Sequence, residues 1–285
     1  MRNASINQPK SYHHPQFKSG LTKQMLAEIK HCDAMLISKE IEKYGVKTDF
    51  KGDKVVAWCI LKCVEIVDSL NKKYNLSLDL PKAVFVEDFF KLKNVEKSIL
   101  AFCNFSRERL HLNSKKVTGE NTLLINNFGE KNFWDDIDEI ADVNFATNVS
   151  ATDFFLDMFL HEFSHSMHQG KIFKKYGFEH GQILLYDAQE KPYLKQFKSV
   201  LGKIIKANLC NYAKTSPLET VACDLSKRLI DSLDKNSLQV ISDPIKNSPY
   251  RRVNCFRQFL LKENESKADL LNKYITNFWN GQFNV

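Results

Sequence analysis

The stretch Asp153-Phe154-Phe155-Leu156-Asp157-Met158-Phe159-Leu160-His161-Glu162-Phe163-Ser164-His165 decides how this chain is read. Its first half is apolar nearly all round a helical wheel, through Phe154, Phe155, Met158 and Phe159. That predicts a largely buried helix over about 152–168, with Thr152 or Asp153 as its N-cap. Into that surface the sequence then sets His161, Glu162 and His165. Histidines one turn apart project from one face of a helix, so both imidazoles can meet one cation. Glu162 falls about 100° round the axis from His161, near the open position of such a cation without being an obvious ligand. There it can take a proton from a zinc-bound water, whose pKa zinc lowers to about 7, and deliver it to a leaving amine. The bland alternative is a helix end whose polar side chains face water. A helix this apolar argues against it, because its buried polar groups need partners.

A zinc centre of this type takes a third protein ligand. His168 lies within one turn of His165 but off the two-histidine face. His180 stands in Phe178-Glu179-His180-Gly181, read as a loop. Glu219 opens a helix running Glu219-Thr220-Val221-Ala222-Cys223-Asp224, from which a carboxylate can approach the histidine face. Glu219 is preferred, His180 is the runner-up, and the remaining alternative is a site with no third protein ligand.

The rest of the chain limits the alternatives. Gly at 10 and Pro at 7 among 285 residues are few, which argues for a helix-rich chain over a turn-rich sandwich. The net charge of +7 is spread over scattered lysines such as Lys91, Lys93 and Lys97. No compact basic block with interleaved aromatics accompanies it, so no specific nucleic-acid partner is expected. The seven cysteines are odd in number and form no Cys-x-x-Cys pair. They read as reduced thiols packed as small hydrophobes. The polar N-terminus has no leader-like apolar core, and apolar runs such as Phe154 to Leu160 are too short to span a bilayer. The expectation is a protein without a membrane span, cytoplasmic or exported by a leaderless route.

Periodicity supplies the organisation. Residues 1–20 read as a flexible arm, in which His13-His14 is not taken as a metal site. Helical spacing runs over about 21–44 and again over about 54–74, giving an N-terminal helical region over 21–80. Short strands follow: Ala83 to Val86, a hairpin of Ser98 to Asn104 with Arg109 to Asn113, and Thr122 to Asn126. Beyond the metal helix come helices at about 191–209, 217–233, 249–262 and 265–279. The fold class is therefore α+β, mostly helical, with a small mixed sheet of three to four strands ahead of the histidine helix. The cleft is expected between the sheet's edge and the two metal-bearing helices, with Ser98 to Asn104 as the edge that aligns an extended substrate.

The segment Tyr212-Ala213-Lys214-Thr215-Ser216-Pro217-Leu218-Glu219-Thr220-Val221-Ala222 resembles the second motif of the anthrax lethal factor-like peptidase domain. His161-Glu162-Phe163-Ser164-His165 resembles that family's first motif, His-Glu-Phe-Gly-His, with Ser164 for Gly. The resemblance covers about residues 80–235. It implies a zincin-like fold of gluzincin type, with residues 81–285 as catalytic domain. It also implies one zinc ion held by His161, His165 and Glu219, Glu162 as general base and acid, and Tyr212 as the phenol that steadies a tetrahedral oxyanion. A Tyr hydroxyl is a neutral donor at pH 7, suited to a site of developing negative charge. The implied activity is a zinc-dependent endopeptidase acting on a protein or peptide. The alternative is an inactive zincin-like module that binds zinc and serves interaction. One departure concerns the acidic residue expected a turn after Glu219: Cys223 stands there and Asp224 follows, leaving Asp224 to orient a ligand histidine.

Overall fold

The computed structural model describes residues 21–89, 91–92, 100–105, 109–112, 115–118, 120–127, 141, 144–145, 148–186, 192–205, 209–246 and 265–282. The expected arm over 1–20 and the expected helix over 249–262 lie outside them. Helices α1 (Lys23–His31), α2 (Ala34–Glu42) and α3 (Lys54–Tyr74) come first, with strand β1 (Lys47–Asp49) between the last two. The single helix expected over 21–44 is thus two. Asp33 ends the continuity: its carboxylate accepts the amides of Met35 and Leu36 and caps α2, a local bond that competes with continued helix. The 54–74 helix stands as expected. Asp53 caps its start through the amides of Val55 and Val56, and Asn75 closes it in the left-handed region at φ 52.

Strands β2 (Ala83–Glu87), β3 (Ala101–Asn104) and β6 (Thr122–Asn126) join β1 in a mixed sheet ordered β1-β2-β6-β3. The β1–β2 and β2–β6 pairs are parallel, and β3 runs antiparallel to β6 with Ala101 opposite Ile125. The expected hairpin is therefore corrected. β3 pairs with β6, while β4 (Arg109–Leu112) pairs with β5 (Lys115–Thr118) in a separate ribbon. Alternation identifies strands but not partners, and here the partner of β3 lies further along the chain than the nearest strand. β3 does stand at the sheet's edge, as expected.

The sheet obeys its period of two. Val84, Val86, Leu123 and Ile125 join the main core, while Leu124 turns to a smaller cluster with Phe89, Phe85 and Phe102. That main core is continuous. It takes in Met25 and Ile37 from α1 and α2, Val64 from α3, Phe159 and Phe163 from the histidine helix, and Phe278 near the C-terminus.

The histidine helix, α4, spans Asp157–Tyr176, starting later and ending later than expected. Residues 152–154 are not helical, and Leu156 at the cap position makes no side-chain capping bond, so neither Thr152 nor Asp153 caps it. α5 (Phe178–Tyr186) carries His180, placing that residue on a helix rather than a loop. α6 (Pro192–Ile204), α7 (Pro217–Asp231) and α8 (Glu265–Trp279) complete the helical half, with a small ribbon of β7 (Leu233–Asp234) and β8 (Gln239–Val240). α4 packs along α7 on one side and against α3, α5 and β3 on others. None of the helices of the described residues is long and apolar enough to cross a membrane.

Candidate metal centre

Two helices create the site. On α4, His161 and His165 stand one turn apart, with ring centroids 4.9 Å apart and planes at 84°. On α7, Ser216 caps the helix by accepting the Glu219 amide at 3.2 Å, with Pro217 in the first turn. That cap fixes where α7 begins, and so fixes Glu219 in its first turn facing α4. Glu219 Oε2 lies 2.9 Å from His161 Nε2 and 3.2 Å from His165 Nε2.

The donor set fits a metal ion. One ligand atom from each of the three residues lies within 4.8 Å of the others. Donors around a tetrahedral ion at about 2.0–2.1 Å sit about 3.3 Å from one another, so the 2.9 and 3.2 Å between Glu219 and the two imidazoles need only a small expansion. Burial alone would raise the Glu219 carboxyl, but hydrogen bonds from both imidazoles outweigh it and hold it well below the usual carboxylate range. A cation in that position would hold it ionised equally well. Neither alternative third ligand takes part. His168 points away to the Tyr274 hydroxyl, 2.7 Å from its Nε2, and His180 is exposed on α5.

Behind each histidine stands a group that could steer it. His165 Nδ1 is 3.3 Å from the Gln169 side-chain nitrogen, and Tyr186 donates to the Gln169 oxygen at 2.7 Å. With the amide turned over, the Gln169 oxygen accepts from His165 Nδ1–H and its nitrogen donates to Tyr186, which leaves Nε2 free for a metal. His161 Nδ1 has Cys223 Sγ at 3.7 Å. The expected orienting role for Asp224 is overturned. Its carboxylate is fully buried and accepts from Arg228 Nε at 2.6 Å, turned away from the histidines. Adjacent helical residues point about 100° apart, so Cys223 and Asp224 cannot both face His161. Ser164 is accommodated: fully buried, it donates to the Leu160 carbonyl at 2.7 Å.

Glu162 faces the cavity beside this cluster with 8% of its surface exposed. Burial pushes its carboxyl up to about 7; His161 opposes this, Glu219 adds to it, and a hydrogen bond from the Cys103 backbone amide opposes it again. A cation among the three ligands would draw the value down. Tyr212 opens a 3-10 turn (Tyr212–Lys214), its ring centroid 5.7 Å from that of His161. Burial, then the charges of Glu219 and Glu162, push its phenol well above the usual value, so it stays a protonated donor at neutral pH.

The cavity in front has a volume of about 400 Å³. Edge strand β3 forms one wall through Ala101, Phe102 and Cys103. α4 supplies Glu162, His165 and Gln169, α5 supplies Leu185 and Tyr186, and Tyr212 with the start of α7 forms the far side. Gln169, Tyr186 and the Cys103 amide were not singled out from the sequence, and Cys223 was noted only for standing where an acid was expected. Two of them carried a signal: Gln169 follows His165, and Cys223 follows Glu219, by one helical turn. Comparison with protein-family models, with curated proteins and with solved structures returns no match.

Proposed function

We propose that this protein is a zinc-dependent endopeptidase of the lethal factor-like, gluzincin type, with His161, His165 and Glu219 as the zinc ligands. The observation that carries the reading is the convergence of two histidines and a carboxylate on one point, with Glu162 beside it and an edge strand along the same cavity. Two imidazoles and one carboxylate are the donor set of zinc sites that keep a fourth position open for chemistry. Zinc held there would supply Lewis acidity, polarising a peptide carbonyl and acidifying water.

The chain's own residues account for the remaining steps. Glu162, nearly buried and shifted toward neutrality, holds a proton taken from water and passes it to the leaving nitrogen. Tyr212, neutral and half exposed at 44%, donates a hydrogen bond where the carbonyl oxygen gains charge. β3 stands at the sheet's edge, along which an extended peptide can align by main-chain bonds. Leu185 and Phe102 add apolar surface among the polar side chains that α4 and the start of α7 supply.

The deciding experiment is a comparison of wild type with Glu162→Gln. Both should contain one zinc per chain by metal analysis. Wild type should cleave members of a peptide library, with the variant reduced by about 10²–10⁴-fold. Cleavage that survives in Glu162→Gln would refute the assignment of the base. Zinc without any cleavage by wild type would favour a binding module instead.

A further inference from the structure

The thiols of Cys210 and Cys223 have no part in the reaction proposed above. Their sulfurs lie 3.7 Å apart, Cys210 is fully buried and Cys223 is 4% exposed. Cys223 stands one turn beyond Glu219 on α7, and its sulfur is 3.7 Å from His161 Nδ1. Cys210 stands two residues before Tyr212, and its sulfur accepts the Ala213 amide at 3.4 Å. One pair of sulfurs therefore links the support of His161 to the turn that carries Tyr212.

We propose that Cys210 and Cys223 form a redox-modification site that sets the metal affinity. As a dithiol, Cys223 orients His161; as a disulfide, the pair withdraws that support. This rests on the reading of His161 as a metal ligand. With Nε2 turned to the metal, Nδ1 carries the ring proton and needs an acceptor, and Cys223 Sγ is the atom within reach. Cys223 is a positioning residue, since it acts only through the imidazole. A disulfide holds its sulfurs at about 2.05 Å, so the pair must close by about 1.6 Å. The share of that movement taken by Cys223 draws its sulfur from a contact already long for a hydrogen bond, and a disulfide sulfur is a weaker acceptor.

Burial selects a small oxidant, and a peroxide is the class that fits. One cysteine sulfur attacks hydrogen peroxide, forming an S–O bond, breaking the O–O bond and releasing water. The second thiol then displaces the sulfenic oxygen as another water and forms the S–S bond. Two thiols are oxidised, one peroxide is reduced and two waters leave.

The test uses the full chain, treated with dithiothreitol or with hydrogen peroxide. Peptide mass spectrometry locates the disulfide, and competition with a chromophoric chelator gives the zinc affinity. The oxidised protein should hold zinc about 10–100-fold more weakly than the reduced one, the range for loss of an outer partner of a ligand histidine. Dithiothreitol should restore it, and Cys210→Ala should keep its reduced affinity through peroxide treatment. Cys210→Ser serves the same purpose if circular dichroism shows the alanine variant unfolded. A verified Cys210–Cys223 disulfide with unchanged zinc affinity would overturn the proposal. So would a Cys210 variant that loses zinc as readily as wild type, or the failure of this disulfide to form. Reduced wild type that binds no zinc removes the metal reading itself, and that outcome needs no oxidant to see.

Discussion

His168 makes the stability of this fold depend on pH. The imidazole is fully buried on α4, bonded to the Tyr274 hydroxyl and edge-on to Tyr274 and Phe278 of α8. Burial first, and His165 nearby second, push its pKa down from 6.5 to about 3. In the unfolded chain it titrates near 6.5. Between these values the unfolded state holds a proton that the folded state refuses, so stability rises with pH across this window. The contribution is complete above pH 6.5 and is lost as pH falls toward 3. At about 1.4 kcal/mol per pH unit the whole window amounts to about 5 kcal/mol, and the part reached by pH 5 to about 2 kcal/mol. His168→Gln keeps a hydrogen-bonding partner for Tyr274 and cannot titrate. Urea unfolding followed by circular dichroism, in chelator at pH 7.5 and pH 5.0, gives the loss on acidification for each protein. That loss should be about 2 kcal/mol smaller in the variant, and any fixed cost of the substitution cancels in the comparison. Equal losses in the two proteins would refute the reasoning, because His168 would then have no depressed pKa in the fold.

Glu219→Gln should weaken zinc binding by more than about 100-fold, since changes one shell further out already cost 10–100-fold; chelator competition measures it. Tyr212→Phe should leave zinc content and KM near wild type and lower kcat by about 10²–10³-fold, the range for removing one oxyanion donor, as read from steady-state kinetics on a cleaved peptide. Arg228→Met should lower unfolding free energy by about 3–5 kcal/mol, because it strands the Asp224 carboxylate in the core. Replacing Asp224 by Asn in the same chain should recover part of that loss, and urea titration of both variants checks the pair.

The α+β class and the His161, Glu162, His165 trio were legible because both rest on local periodicity. A turn of α4 is written in adjacent residues, and so is the Ser216-Pro217 start that brings Glu219 round to face it. What escaped depends on contacts between distant segments or on a single angular step. The apolar spacing of 21–44 runs on across Cys32 and Asp33, and only the capping bonds of Asp33 reveal the break. β3 and β4 are neighbours in sequence, yet β6 offers β3 a longer buried partner. Asp224 drew attention as an acid near Glu219, but one position along α7 turns it toward Arg228 and leaves Cys223 facing His161. The histidine helix begins at Asp157 although the apolar run starts earlier, because buried phenylalanines such as Phe154 and Phe155 fill the core equally well outside a helix.

The place of Glu162 beside edge strand β3, where both line one cavity, has a consequence for solubility. An open sheet edge is a template on which a second copy of a chain can zip, and proteins commonly blunt such edges with a charge or a covering element. β3 has only four residues, so it presents few outward donors, and the Glu162 carboxyl from α4 stands in the same cavity. A stray strand arriving there meets an acid side chain beside the edge, and a run of apolar residues would have to bury against it. The group assigned to chemistry thus also guards the β3 edge of the sheet, and replacing Glu162 removes both roles at once.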